Sequence, residues 1–232
     1  KLAEIATSIR YKTYEIEVKI ITSKEGKNRR EILEASSICL ITSNTESLKE
    51  VVLQALRAGV KVIQYREKSL IDSKRIDQAK TLASLCRQYN SLFIVNDRID
   101  ISLAVNADGV HLGQEDMPTE IARKLLGPER IIGRSTHCLE DIEKAENEGC
   151  DYIGIGPVFT SETKKELKPL GIDYLRKGLM ATHLPAFAIG GISPSNINQI
   201  NKMNKIKIAV ANAIMNSNNP TLAIKELSEY LK

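Results

Sequence analysis

The stretch LFIVNDRIDISLAVNADGVHLGQED, residues 92–116, holds the pattern that decides the fold. Two short apolar runs, Leu92–Asn96 and Gly109–Gly113, flank the helix-compatible segment IDISLAVNA (99–107). Continuous apolar runs of this length suit parallel strands buried on both faces, and parallel neighbours need a crossover between them. Each run is followed by a carboxylate, Asp97 after the first and Asp116 after the second.

The same alternation continues in both directions. Strands are predicted at 37–42 (SICLIT), 60–65 (VKVIQY), 130–135 (RIIGRS), 152–158 (YIGIGPV), 186–190 (AFAIG) and 207–211 (KIAVA), giving eight with the central pair. Helical spacing lies between them. In 45–59 Leu48, Val51, Val52, Ala55 and Leu56 share a stripe, with Gly59 placed to end the helix. Segments 72–90, 139–149 and 220–232 read the same way, and Pro118 and Pro220 suit helix first turns. The segment 197–204 is polar and a weak helix. Eight β–α alternations in about 195 residues point to an α/β (β/α)₈ TIM barrel spanning residues 37–232. A doubly wound open sheet remains the alternative, because alternation does not report closure. Residues 1–36 fall outside the alternation and read as an appended segment of unassigned role, with a strand at YEIEVKIITS followed by a polar, turn-prone KEGKNRRE. The absence of an initial Met is compatible with processing, trimming or a longer parent chain.

Composition limits the function classes. The net charge of +4 is mild and spread along the chain, which argues against a nucleic-acid partner and fits small anionic ligands. No 18-residue apolar run exists, so no transmembrane helix or membrane partner is expected. Cys39, Cys86, Cys138 and Cys150 lack metal-ligand spacing and lie in apolar patterns, so buried free thiols and a reducing, cytoplasmic setting are expected. Assembly into homo-oligomers stays open.

In a barrel the chemistry collects in the loops after the strands. After the second strand, Gln64, Arg66 and Lys68 suit an anionic ligand, though a solvated loop fits equally well. After the third and fourth, Asp97 and Asp116 can converge on a Mg²⁺ ion, which takes one or two carboxylates plus waters and phosphates. Capping of the helices that follow is the competing role for each acid. After the fifth come Ser135 and His137, the latter an acid–base candidate or a structural hydrogen-bonding group, whereas His111 reads as barrel core or lining. The loop Thr160–Lys165 offers hydroxyls and a lysine as a clamp for phosphate, although taken alone a plain surface loop is the better reading. Gly190-Gly191 lets the backbone approach a phosphate, and Asn212 follows the eighth strand. A Cys/His nucleophile dyad, a Schiff-base lysine within a strand and a Walker loop are all missing. The set therefore suggests electrostatic chemistry on a pyrophosphate or phosphate ester.

Read in order, QYREK, FIVNDRIDISLAVNADGVHLGQED, GRSTH, DYIGIGPVFTSETKK and AIGG resemble the thiamine-phosphate synthase family over residues 37–232. The resemblance implies a (β/α)₈ barrel and a Mg²⁺-dependent transferase of thiamine biosynthesis. Such an enzyme joins 4-amino-2-methyl-5-hydroxymethylpyrimidine diphosphate to 4-methyl-5-(2-phosphoethyl)thiazole, giving thiamine phosphate and pyrophosphate. It further implies Asp97 and Asp116 as metal ligands, and Arg66, Lys68 and Lys164 on the diphosphate. Gln64, Asn96 and Ser135 would place the pyrimidine. Thr163 and its loop would clamp the thiazole, whose phosphate would meet Gly190, Gly191 and the region of Asn212. Arg66, Lys68, Ser135 and Lys164 would form the catalytic set. The chain departs from the family in the run MNKIKIAVANAI (203–214), which lacks the usual glycines and has Asn212 in place of a Ser. A thiazole tautomerase of the sister family and a non-catalytic phosphate-binding barrel are the competing readings. The carboxylate pair and the ETKK loop favour the synthase, because a tautomerase has no diphosphate to ionise.

Overall fold

The computed structural model describes residues 12–13, 23–161, 168–201, 203 and 206–231. Its strands are β1 (Ile38–Ile41), β2 (Val62–Tyr65), β3 (Leu92–Asn96), β4 (Gly109–Leu112), β5 (Ile131–Thr136), β6 (Tyr152–Ile155), β7 (Ala186–Ile189) and β8 (Lys207–Val210). All pair in parallel with their sequence neighbours, and β8 returns to β1, so the sheet closes into a barrel. The open-sheet alternative is thereby excluded.

The period-2 alternation of each strand sorts side chains into two cores. Ile38 and Leu40 face outward toward the helices, whereas Cys39 and Ile41 face inward with Val62, Leu92, Ile94, Ile131, Tyr152 and Phe187. Both faces are apolar because both are buried, which explains why the sequence shows continuous runs. The helices are α2 (Leu48–Arg57), α3 (Asp72–Gln88), α4 (Ile99–Ala104), α5 (Thr119–Leu126), α6 (Leu139–Asn147), α7 (Gly171–Met180), α8 (Asn212–Met215) and α9 (Pro220–Glu229). In α2 the predicted stripe Leu48, Val51, Val52, Ala55 and Leu56 is the buried face, and Gly59 follows at φ +93°. Pro220 opens α9 behind Asn219, whose side chain accepts from Leu222 N–H. Pro118 differs from expectation: its ψ of 139° is extended, so it precedes α5 rather than opening it. The weak segment after β7 forms only a 3₁₀ turn, Ile197–Gln199.

The KEGKNRRE reading needs correction. Residues 23–35 are helical (α1), whereas the strand expected at YEIEVKIITS lies outside the described residues except for Ser23, which is helical. Helix α1 closes the N-terminal end of the barrel. Leu33 is 1 % exposed and belongs to the inner core. Arg29 Nε meets Asp108 Oδ1 at 2.9 Å, and Arg30 Nε meets Asp151 Oδ1 at 2.8 Å. The second oxygens of those acids accept Phe93 N–H and Ile132 N–H, so each Asp ties α1 to a strand start. Beyond the i,i+4 pairs Lys27–Glu31 and Arg29–Glu25, the partners that seat the run on the barrel lie 79 and 121 residues away and leave no trace in the local sequence. All four cysteines are free as expected, but Cys138 is only half-buried, at the entry to α6. Among the described residues no helix is long and apolar enough to cross a membrane.

Candidate active site

At the C-terminal end of the barrel the inward positions change character. Gln64, Asn96, His111 and Ser135, from β2 to β5, are polar, whereas the opposite wall presents Gly154, Ile189, Ala209 and Ala211. Together they line a cavity of about 420 Å³. One half can read a polar heterocycle by hydrogen bonds and the other can pack against a ring.

The polar half is already ordered. Gln64 Nε2 donates to Asn96 Oδ1 at 2.8 Å, and His111 Nε2 lies 2.9 Å from Ser135 Oγ. His137 also lines the cavity, with Nδ1 donating to the Gly156 carbonyl at 2.5 Å. That bond ties the β5 loop to the β6 loop, in keeping with a structural role. Arg66 faces the cavity, and among the described residues its guanidinium has no ion-pair partner. An uncompensated guanidinium beside a cavity favours an anion there.

The two carboxylates meet at the rim. Asp97 N–H bonds to the His111 carbonyl at 2.9 Å, fixing the end of β3 onto β4. Its φ of +64° turns the chain sharply, a conformation that Asp tolerates better than most residues. Asp116 Oδ2 accepts Gly113 N–H at 2.6 Å, folding the β4 loop back on its own strand. These turns bring the Asp97 and Asp116 carboxyls within hydrogen-bonding reach of each other. Burial, and then the facing Asp116, raise the Asp97 carboxyl above its ordinary range, while Lys68 Nζ at 3.5 Å opposes the shift. Neither acid makes the capping bond considered from sequence: α4 is preceded by Arg98, α5 by Pro118, and neither helix has a side-chain cap bond.

Two hard oxygen donors at one rim suit Mg²⁺, whose charge would offset the burial and like-charge repulsion that raise the Asp97 carboxyl. Among the described residues no third acid, His or Cys joins the pair, so the set fits an ion completed by phosphate and water rather than a protein cage.

Gly190 and Gly191 line the cavity at φ +97° and +65°. Their first constraint is protein packing. A Cβ at Gly190 would stand 2.5 Å from Pro157 Cβ, and one at Gly191 would overlap the Thr160 carbonyl. Val158 and Phe159 N–H groups bond to the Ile189 and Gly190 carbonyls. The β6 loop is thus stitched to the β7 loop across the apolar wall. Asn212 also lines the cavity, at the start of α8.

Of the residues singled out in sequence, Gln64, Arg66, Asn96, Ser135, Gly190, Gly191 and Asn212 line one cavity. Lys68, Asp97 and Asp116 are associated with one another at its rim. Thr163 and Lys164 lie outside the described residues, as does the rest of the ETKK motif. Sequence reading missed the part played by Tyr152, which lies below the floor and bonds to His111. An aromatic inside a buried strand has no sequence signal that distinguishes packing from hydrogen bonding.

Comparison with known proteins gives a consistent assignment. A family model described as thiamine monophosphate synthase matches residues 38–214. The thiamine-phosphate synthase of Prochlorococcus marinus (strain MIT 9313) is 49 % identical over 237 residues, covering 100 % of this chain and 67 % of that protein. The thiamine-phosphate synthase of Synechocystis sp. (strain ATCC 27184 / PCC 6803 / Kazusa) is 45 % identical over 223 residues, covering 96 % and 64 %. Among solved structures, thiamine phosphate pyrophosphorylase from Pyrococcus furiosus superposes with a TM-score of 0.78 at 38 % identity, covering 87 % of this chain and 96 % of that one. A 3-hexulose-6-phosphate synthase at 14 % identity and TM-score 0.68 shares the fold alone.

Proposed function

The chain belongs to the thiamine monophosphate synthase family and its activity is the transferase activity of thiamine-phosphate synthesis; from that premise we propose how its residues carry the reaction. The substrates are the aminopyrimidine diphosphate and the thiazole phosphate named above, and the products are thiamine phosphate and pyrophosphate. The observation that carries this reading is the pairing at one rim of two facing carboxylates with Lys68, next to a cavity into which Arg66 brings a cation that no described residue neutralises.

Gln64, Asn96 and Ser135 hold the pyrimidine against the polar half of the cavity. Arg66, Lys68 and Lys164 bind its diphosphate, Arg by a planar fork and the lysines as point charges. Asp97 and Asp116 would hold Mg²⁺, which when bound supplies positive charge against the phosphate oxygens. The thiazole lies on the apolar half, clamped by Thr163 and its loop, with its phosphate at Gly190, Gly191 and Asn212. The bond between the pyrimidine methylene carbon and the diphosphate oxygen breaks, and both electrons leave with the diphosphate. The electron-rich aminopyrimidine carries the resulting cation until the thiazole nitrogen donates its lone pair. Charge grows on the departing oxygen, so cations fixed before the reaction lower the barrier without a protein nucleophile. The departure at 203–214 supports a changed phosphate contact, with the Asn212 amide donating where the family uses a hydroxyl. The four free thiols support a reducing, cytoplasmic setting.

The test is direct. Purified protein incubated with both substrates and Mg²⁺ should form thiamine phosphate, and Asp97→Ala should abolish turnover. Folded protein that binds both substrates yet makes no product would sink this reading, and full activity in Asp97→Ala would remove that residue from the metal site.

A further inference from the structure

Three polar groups form a chain from the barrel interior up to the cavity. Tyr152 Oη lies 3.0 Å from His111 Nδ1, and His111 Nε2 lies 2.9 Å from Ser135 Oγ. Tyr152 is 2 % exposed, inside the barrel, with its ring edge-on to Phe187. Gly133 makes the room, because a Cβ at 133 would overlap the tyrosine ring. Burial also holds the phenol well above its ordinary titration range, so it keeps its proton.

Hydrogen-bond satisfaction fixes the direction of the chain. A phenol has one O–H to donate, and His111 is the only bonding partner of the Tyr152 hydroxyl among the described residues. Leaving that buried donor unmade costs roughly 1–3 kcal/mol, more than leaving a lone pair idle. The phenol therefore donates to Nδ1, which places the imidazole hydrogen on Nε2. That hydrogen goes to Ser135 Oγ, whose own hydroxyl proton then has no acceptor among the described residues and faces the cavity.

We propose that Tyr152 is a positioning residue: acting through His111, it sets Ser135 as a hydrogen-bond donor toward the pyrimidine diphosphate. The proposal rests on the substrate placement given above. In the opposite polarity Ser135 would spend its proton on His111 and offer the substrate only lone pairs.

Nitrogen NMR of the ligand-free wild-type protein tests the polarity. The His111 resonances are identified by their loss in His111→Asn and should show the Nε2–H tautomer. The Nδ1–H tautomer would overturn the relay. Kinetics test its purpose. Tyr152→Phe, checked for folding by circular dichroism, should lower kcat roughly tenfold, the scale of one hydrogen bond, with KM for the thiazole unchanged. In a Ser135→Ala background the same change should cost nothing more. An equal loss in both backgrounds would assign Tyr152 to packing and overturn the proposal. Turnover by the wild type combined with an Nδ1–H tautomer would reject the relay alone. Absence of product from the wild type would instead reject the reading of the site.

Discussion

Asp97 and Asp116, carried by the loops after neighbouring strands, face each other within hydrogen-bonding reach, with Lys68 beside Asp97. Two like charges held together before any cation arrives cost stability. The folded-state pKa of Asp97 is raised, so its favourable contribution is complete at acidic pH and is lost as pH rises through that value. Asp97→Asn removes the loss while keeping a residue that tolerates positive φ. It should raise the Tm of the cation-free protein at neutral pH, with the difference shrinking as the pH falls into the acidic range. Thermal melts against pH measure this. Mg²⁺ should raise the Tm of the wild type and leave the variant unmoved, and the variant should be inactive.

Arg66 faces the cavity without an ion-pair partner among the described residues, so its removal should cost binding and not folding. Arg66→Ala should leave Tm within about 1–2 °C, since it breaks no described ion pair. It should lower kcat/KM for the pyrimidine diphosphate roughly 10- to 100-fold, the scale of a lost charge-assisted hydrogen bond. Arg66→Lys should recover part of this, because a point charge replaces the fork. Steady-state kinetics at fixed ionic strength decide the point, and a large drop in Tm would reassign the residue to structure.

At Gly191 the positive φ and the Thr160 carbonyl both exclude a side chain. Gly191→Ala should destabilise the chain by about 1–3 kcal/mol and separate the loops after β6 and β7. Because those loops flank the apolar wall, KM for the thiazole phosphate should rise more than KM for the pyrimidine diphosphate. Paired titrations of the two substrates would show it, and equal increases would count against loop-specific damage.

Leu33 fills the closed end of the barrel from α1 and is not among the residues that line the cavity. Leu33→Ala should cost about 2–5 kcal/mol through the space it leaves. Chemical denaturation should show a lower midpoint, while KM for both substrates stays unchanged in the folded protein. A stability change under 1 kcal/mol would mean that α1 does not close the core.

The legibility of the site varied from residue to residue. Gln64, Arg66, Asn96 and Ser135 were readable because a parallel barrel delivers what stands at or just beyond each strand's C-terminal end to one mouth, and strand ends can be counted in sequence. Asp97 and Asp116 were readable as a converging pair but not distinguishable from two helix caps, since capping uses the same residue type at the same offset. Neither helix that follows has a side-chain cap bond, and the loop geometry after β3 and β4 sets the two carboxyls beside each other. For Gly190-Gly191 a position at the mouth was legible, whereas the packing of Pro157 and Thr160 against them was not, because those contacts join loops about thirty residues apart.

By itself the sequence determined the alternation, the two-faced burial of the strands and the identity of the residues at the mouth. These are local consequences of period and composition, and they survive without knowledge of what pairs with what. Only the tertiary structure decided that the sheet closes, that residues 23–35 form a helix over its base, and that Tyr152 reaches His111. Closure depends on β8 meeting β1, the helix on charges paired across 79 and 121 residues, and the Tyr152 contact on the missing side chain at Gly133. Each is a long-range contact between segments that give no sign of it separately. For the same reason the two acids that follow β3 and β4 become one site only when their strands lie side by side.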